Sequence, residues 1–199
     1  MEKTRKSKTL NILIIASALL LVVSIGVTVW HYMSIAELNR ELSGIAAKFK
    51  DNPETKIGER EILGVITIDR LNLEYPIITF DNDEDINITV CLYNGSGLNQ
   101  YGNNTLTGSR AKSGLFFANI GKLEGDDTVK ITDTDGFTVT YRLLDTFIAN
   151  PDSRTILGRS FNGNVRELTI FTASSDSTKR YVYKFVEIKD QNPNKEDAV

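Results

Sequence analysis

An uncharged run from Leu10 to Trp30, LNILIIASALLLVVSIGVTVW, sets the first constraint on this chain. As a helix, roughly 20 such residues cross a hydrocarbon layer about 30 Å thick, with every main-chain polar group bonded internally. Trp30 and Tyr32 close the run with rings suited to a membrane interface. Ahead of it stand Lys3, Arg5, Lys6 and Lys8 against Glu2 alone, a bias that keeps the N-terminus cytoplasmic and sends the rest of the chain outside. Ser34-Ile35-Ala36 offers a small-x-small cleavage site, but the apolar run exceeds the roughly 7–15 residues of a signal-peptide core, which favours an uncleaved anchor. The expected division is a basic tail over 1–9 and a transmembrane anchor over 10–32.

Outside the anchor the charge balance excludes one class of partner. Without those four basic residues and Glu2, the 23 basic and 26 acidic residues become 19 and 25, a net of −6. Nothing basic is left to suggest nucleic acid. With 41% apolar residues the 199-residue chain can build a real core. Its single cysteine, Cys91, excludes an internal disulfide, and its single histidine, His31, sits at the end of the anchor. The exported part therefore has no imidazole.

After the anchor, Ile35, Leu38, Leu42, Ile45 and Phe49 recur at three- and four-residue steps, one apolar stripe of a helix that ends at Asn52-Pro53. Two heptads are marginal as a coiled coil, so this stalk segment, 33–61, is expected to lie against its own domain. From residue 62 the pattern becomes β. GVITIDRLNLEYPIITF alternates around a turn at Arg70-Leu71-Asn72, with Pro76 near a strand edge. INITVCLY, NTLTGS, DTVKIT, FTVTYRLLDTFIA, RELTIFTAS and RYVYKFVEIK follow, with Asp135-Gly136 as a hairpin signal. Seven or eight short strands with few helical pieces predict a mainly β fold, an antiparallel β-barrel over 62–190, with a frayed polar tail over 191–199. No internal repeat is present.

In order along the chain, GVITIDRLNLEYPII, YGNNTLTGSR, GLFFANIGKLEGDDTVKI and RELTIFTASSDSTKRYVYKF resemble segments of the sortase family, the membrane-anchored cysteine transpeptidases of Gram-positive surfaces. The similarity runs from about Gly64 to Ile188 and is closest to class B-like or clostridial sortases. The resemblance implies three reacting side chains. A cysteine thiolate attacks the threonine carbonyl of an LPXTG-like sorting signal, a histidine protonates the leaving amine, and an arginine stabilises the oxyanion. Carried over by position, the arginine is Arg180, the histidine position holds Ser109, and the cysteine position holds Ala173. Thr172 and Ser174 flank the last as peptide-groove candidates. A methyl group forms no thioester, and a serine hydroxyl does not titrate near neutral pH as a histidine with a pKa of about 6.5 does.

Other residues do not restore that chemistry on sequence grounds. Cys91 in INITVCLY reads as inert core. Ser174 and Ser175, with Lys179 nearby, allow a Ser-Lys arrangement, but serines in a polar loop read first as turn formers. Asp81-Asn82-Asp83-Glu84-Asp85 begins like a calcium loop but has Ile86 where glycine belongs and Leu92 where glutamate belongs, so it reads as a solvated acidic loop. Asn87-Ile88-Thr89, Asn94-Gly95-Ser96 and Asn103-Asn104-Thr105 match glycosylation triplets by chance. No cofactor or metal motif is present. Arg180 either holds a peptide carbonyl or carboxylate, or pairs with an acid such as Asp176.

Three functions compete. The first is a catalytically inactive sortase-like module that binds a sorting-signal peptide, an active sortase or a pilin, since a strand-like peptide groove needs no thiol for affinity. The second is a transpeptidase for LPXTG-like proteins seen as an inactivated mutant. The third is a residual hydrolase using Ser109 or Ser174, which lacks a general base.

Overall fold

A computed structural model describes residues 2–110, 114–161, 164–174 and 177–189, with side chains from residue 13 onward. Ser175, Asp176 and the tail 191–199 lie outside the described residues. The chain divides into two units, Met1–Asn39 and Arg40–Val199.

Helix α1 (Glu2–Asp51) forms the first unit and continues into the second. It is the one helix among the described residues long and apolar enough to cross a membrane. The side chains of residues 13–34 are exposed. Three of its hydroxyls are masked locally, Ser17 donating to the Ile14 carbonyl (2.9 Å), Thr28 to Ser24 (2.8 Å) and Ser34 to Trp30 (3.0 Å). Such back-bonding removes the cost of an unpaired hydroxyl in an apolar medium. The helix ends where the sequence breaks it, since Pro53 has no N–H to extend the ladder. Asn52 N–H makes a last bond to the Lys48 carbonyl (2.8 Å), and the Asn52 side chain accepts from Glu54 N–H (3.1 Å).

In the second unit, nine strands form one sheet: β1 (Lys56–Ile57), β2 (Arg60–Ile68), β3 (Leu73–Thr79), β4 (Val90–Asn94), β5 (Gly102–Thr107), β6 (Thr128–Asp133), β7 (Thr138–Ala149), β8 (Arg166–Ala173) and β9 (Arg180–Glu187). Their order is β1-β2-β3-β4-β5-β8-β9-β7-β6, and pairing of β2 with β6 closes eight of them into a barrel. Closure leaves no edge for β2 through β9 to present to another chain. The sequence alone leads to antiparallel pairing throughout, and most pairs are antiparallel. Two are parallel instead, β3 with β4 and β5 with β8. A hairpin writes its signal into adjacent residues, whereas parallel neighbours are joined by a crossover with no local signature. Residues 80–89, with the 3-10 turn Asp85–Asn87, make the first crossover, and the whole β6–β7 hairpin lies within the second.

The interior is aliphatic and aromatic, with Ile66, Ile77, Leu106, Phe117, Leu168, Ile170 and Phe185 among its buried side chains. Ala46 and Phe49 of α1 join Ile62, Val65, Ile78 and Cys91 in one cluster, with Ile45 packed against it. The apolar stripe of residues 42–49 thus belongs to the same hydrophobic unit as the barrel, and Ser43 Oγ donates to the Glu74 carbonyl at 3.3 Å. At the turn between β2 and β3, Asn72 takes the left-handed conformation (φ 48°) that a short polar side chain tolerates. At the hairpin between β6 and β7, Gly136 has φ 75°, and Asp133 Oδ1 accepts from Asp135 N–H (3.1 Å) and Phe137 N–H (2.9 Å). Pro76 lies within β3 opposite Val65, one residue before β4 begins to pair, and its carbonyl accepts from Thr89 Oγ1 at 2.7 Å.

The acidic segment 81–85 is not simply solvated. Asp85 is fully buried, and its Oδ2 accepts from Asp81 N–H (2.9 Å) and Asn82 N–H (3.0 Å). The Arg60 guanidinium lies 2.6 Å from Asp85 Oδ1 and also pairs with Asp81. Burial pushes the Asp85 carboxyl upward, but the two N–H donors and the guanidinium outweigh it and hold it below its ordinary value. The carboxylate shapes the crossover between β3 and β4.

Candidate functional site

β8 is buried on both faces from Glu167 to Thr172, so its side chains are committed to packing until the last residue, Ala173. Thr172 is buried and donates its hydroxyl to the Gly108 carbonyl at 3.0 Å. Ala173, half-buried, ends the strand opposite Arg180, the first residue of β9. Between them Ser174 acts as a turn former. Its N–H donates to the Lys179 carbonyl (2.9 Å), its Oγ accepts from Lys179 N–H (3.0 Å), and its carbonyl accepts from Ser177 N–H (2.9 Å). Lys179 Nζ donates to Asn150 Oδ1 at 2.6 Å, so its ammonium is engaged across the rim.

Ser109 reaches the same rim by a different route. β5 runs parallel to β8, and the last pair in register is Thr107 with Phe171. Two residues further on each strand stand Ser109 and Ala173, and the Thr172–Gly108 bond fixes that continuation. Ser109 is half-buried, its N–H donating to the Ile86 carbonyl (3.0 Å) and its carbonyl accepting from Phe117 N–H (3.2 Å). The order across the rim is therefore Ser109, Ala173, Arg180. Gly108 lies against Phe117, where an added Cβ would come within 2.9 Å of the ring.

Ala173 and Arg180 face a cleft of about 370 Å³. One wall is aromatic: Tyr93 stands between Phe80 and Phe171 with ring centroids 5.1 Å from each. Such tilted and edge-to-face contacts make a rigid apolar surface. The other wall is the segment between β7 and β8, which supplies Asp152, Arg154, Ile156 and Leu157. That segment is held from below by buried polar groups. Asn103 Nδ2 donates to the carbonyls of Leu157 and Gly158 (both 3.2 Å), Thr169 Oγ1 donates to Asn103 Oδ1 (2.8 Å), and Lys184 Nζ reaches the Gly158 carbonyl. Buried Glu167 accepts from Ser160 N–H (2.6 Å) and Phe161 N–H (3.0 Å). Burial lowers the Lys184 ammonium below its usual pKa, against the raising influence of Glu167 and Asp145. These wall residues escape a motif-based reading. The only sequence trace is the break at Asn150-Pro151, followed by an isolated apolar pair at Ile156-Leu157.

Arg180 donates Nη1 to the carbonyls of Ser177 and Lys179, both at 3.3 Å. Its suggested partner Asp176 lies outside the described residues. Beside the rim, the Arg110 guanidinium sits 4.6 Å from the Tyr181 ring centroid. Cys91 lies elsewhere, fully buried in β4, its Sγ contacting the Thr89 carbonyl at 3.7 Å. Burial, with help from Asp85, pushes the thiol up to about 12, so almost no thiolate exists at neutral pH. Among the described residues no group of three or more His, Cys, Asp or Glu side chains is placed to hold a metal ion.

Against known proteins, the sortase domain model matches residues 66–187, more than half of the chain. No curated protein matches. Among solved structures, Clostridium perfringens sortase D5, a transpeptidase, superposes with a TM-score of 0.59 at 19% identity, covering 78% of this chain and 99% of its own. C. perfringens sortase C, solved with the C-terminal cell wall sorting motif, gives 0.58 at 16% identity, covering 79% and 90%. Corynebacterium diphtheriae sortase A in a lid-mutant form gives 0.60 at 17% identity, covering 87% and 99%. The family match and the shared closed barrel agree: this chain belongs to the sortase family.

Proposed function

We propose that the chain is a membrane-anchored, extracellular sortase-like module that holds an extended, sorting-signal-like peptide, presented by a surface protein or a pilin, or docks an active sortase, without cutting the peptide. The observation that carries this reading is the composition of the rim. At the positions to which the resemblance carries the family's imidazole, thiol and guanidinium, this chain has the hydroxyl of Ser109, the methyl of Ala173 and the guanidinium of Arg180. The methyl group has no lone pair for attack, and the hydroxyl gains or loses no proton near neutral pH. Cys91 does not replace the thiol, being buried in the core with its pKa pushed to about 12.

Peptide as the partner class is supported by C. perfringens sortase C, which was solved with a sorting motif, and by a cleft beside strand ends that suits an extended chain. Placement outside the membrane rests on the basic tail before the apolar helix and on the family's place at cell surfaces.

The test uses the full chain in detergent micelles. Fluorescence anisotropy with labelled sorting-signal peptides is expected to show saturable binding, while mass spectrometry of the same mixtures shows intact peptide and no adduct on the protein. Cleavage by the unaltered chain, or an acyl adduct on it, ends the non-catalytic reading; absence of binding to every peptide ends the peptide reading.

A further inference from the structure

We propose that the cleft beside Ala173 is a receptor for a free C-terminal carboxylate, so that its ligand is a peptide end rather than a chain passing through. This rests on the peptide-binding reading above and specifies which part of the peptide is held. Arg180 is half-buried and lines the cleft, yet among the described residues no carboxylate pairs with it. Three other arginines of the barrel are neutralised, Arg60 by Asp81 and Asp85, Arg70 by Glu124 and Asp127, and Arg166 by Glu187 at 2.9 Å, whereas the two that line this cleft, Arg154 and Arg180, have no ion pair among the described residues. Arg180 uses one nitrogen on two carbonyls at 3.3 Å, the long end of N–H···O bonding, and among the described residues the rest of its fork has no partner.

A carboxylate suits that guanidinium better than an internal amide. It brings two oxygens in the plane of the guanidinium and a full negative charge, whereas a peptide carbonyl brings one oxygen and none. Ala173, directly opposite Arg180, contributes a single carbon, which leaves the rim open for the second oxygen. Phe80, Tyr93, Phe171 and Ile156 line the same cleft and give an apolar surface for the last side chain, while a second guanidinium, Arg154, offsets the charge of the Asp83 and Asp152 carboxylates that also line it. At about 370 Å³ the cleft sits near the small end of ligand pockets, about 300–1,000 Å³, which fits a few terminal residues.

The experiment measures binding to the full chain in micelles of an LPAT peptide as free acid, the same peptide as C-terminal amide, and LPATGG. A mixed tetrapeptide library is run in matched acid and amide forms, so that the result does not depend on one sequence. The free acids are expected to bind at least tenfold more tightly than the amides and the extended peptide. Arg180→Gln is expected to erase that ratio, and Arg180→Lys to keep part of it, with thermal unfolding unchanged in both. Equal binding of acid, amide and extended forms, or a preference that survives Arg180→Gln, overturns the carboxylate receptor while leaving a peptide cleft. Binding of nothing in any form removes the peptide reading, and this one with it.

Discussion

At the scale of single residues, the rim can be tested by restoring what it lacks. Ser109→His together with Ala173→Cys returns imidazole and thiol beside Arg180, and cleavage of a sorting-signal peptide is expected to rise at least about 100-fold over the unaltered chain, the low end of what acid–base catalysis contributes. Either single change leaves one partner missing and is expected to give no detectable turnover by the same mass-spectrometric assay. The pairing of Ala173 with Arg180 was legible from the sequence, because a strand, a short polar loop and a second strand are contiguous. The approach of Ser109 was carried in the sequence only by the family resemblance, since it depends on a parallel register between residues 64 apart and on the Thr172–Gly108 bond. Removing that bond with Thr172→Val strands a buried carbonyl and is expected to cost about 1–3 kcal/mol in denaturant unfolding. Cys91 gives a pH signature. Its folded pKa is raised, so the folded protein keeps a proton that the unfolded chain loses near pH 9, and stability falls as pH rises from there towards about 12. The slope is at most about 1.4 kcal/mol per pH unit, and subtracting the profile of Cys91→Ala isolates it from other titrating groups.

At the scale of elements, the strands were readable wherever β-branched residues alternate, as in β2 and β9, and the Asp135-Gly136 hairpin was readable from its turn chemistry. The role of the acidic segment was not. Five polar residues in a row look like solvent-facing loop, and only the fold reveals that Asp85 points inward to two N–H groups and Arg60. Because the folded Asp85 carboxyl lies below its ordinary pKa, its contribution is present above about pH 4, the unfolded value, and is lost as pH falls through the folded one. Thermal unfolding across pH 2–6 is expected to show a flatter acid limb in Asp85→Asn than in the unaltered protein. Gly64 is a second test at this scale. It lies in β2 between β3 and β6, where an added Cβ would meet the Thr132 carbonyl and come within 2.6 Å of Leu98 Cδ1. Gly64→Ala is expected to destabilise by about 1–3 kcal/mol, as overpacking does, read as a lower denaturant midpoint.

At the scale of the whole molecule, the apolar helix and the barrel make separate demands on the chain, the first for an apolar surrounding such as a bilayer would supply and the second met by closure of the sheet. The helix was legible because hydropathy is a sum over neighbours, while the barrel's strand order was not, because closure through β2 and β6 joins residues 64–67 to 130–133. Alkaline phosphatase fused after residue 199 is expected to be active in intact bacteria, and inactive after the lysines and arginine of residues 3–8 are moved to follow residue 32, because the positive flank then lies on the other side. Retained activity after that exchange would overturn the proposed orientation. The two parallel pairs carry a consequence of their own. Because β5 and β8 finish at the same end, the rim is assembled from the last ladder pair, Ala173 with Arg180, and the residue just past β5, Ser109, positions held by main-chain pairing whatever side chains they carry. Side chains at such a rim are exchanged without disturbing the main-chain bonds that close the sheet, so the shape of the receptacle is separable from the chemistry placed at its edge.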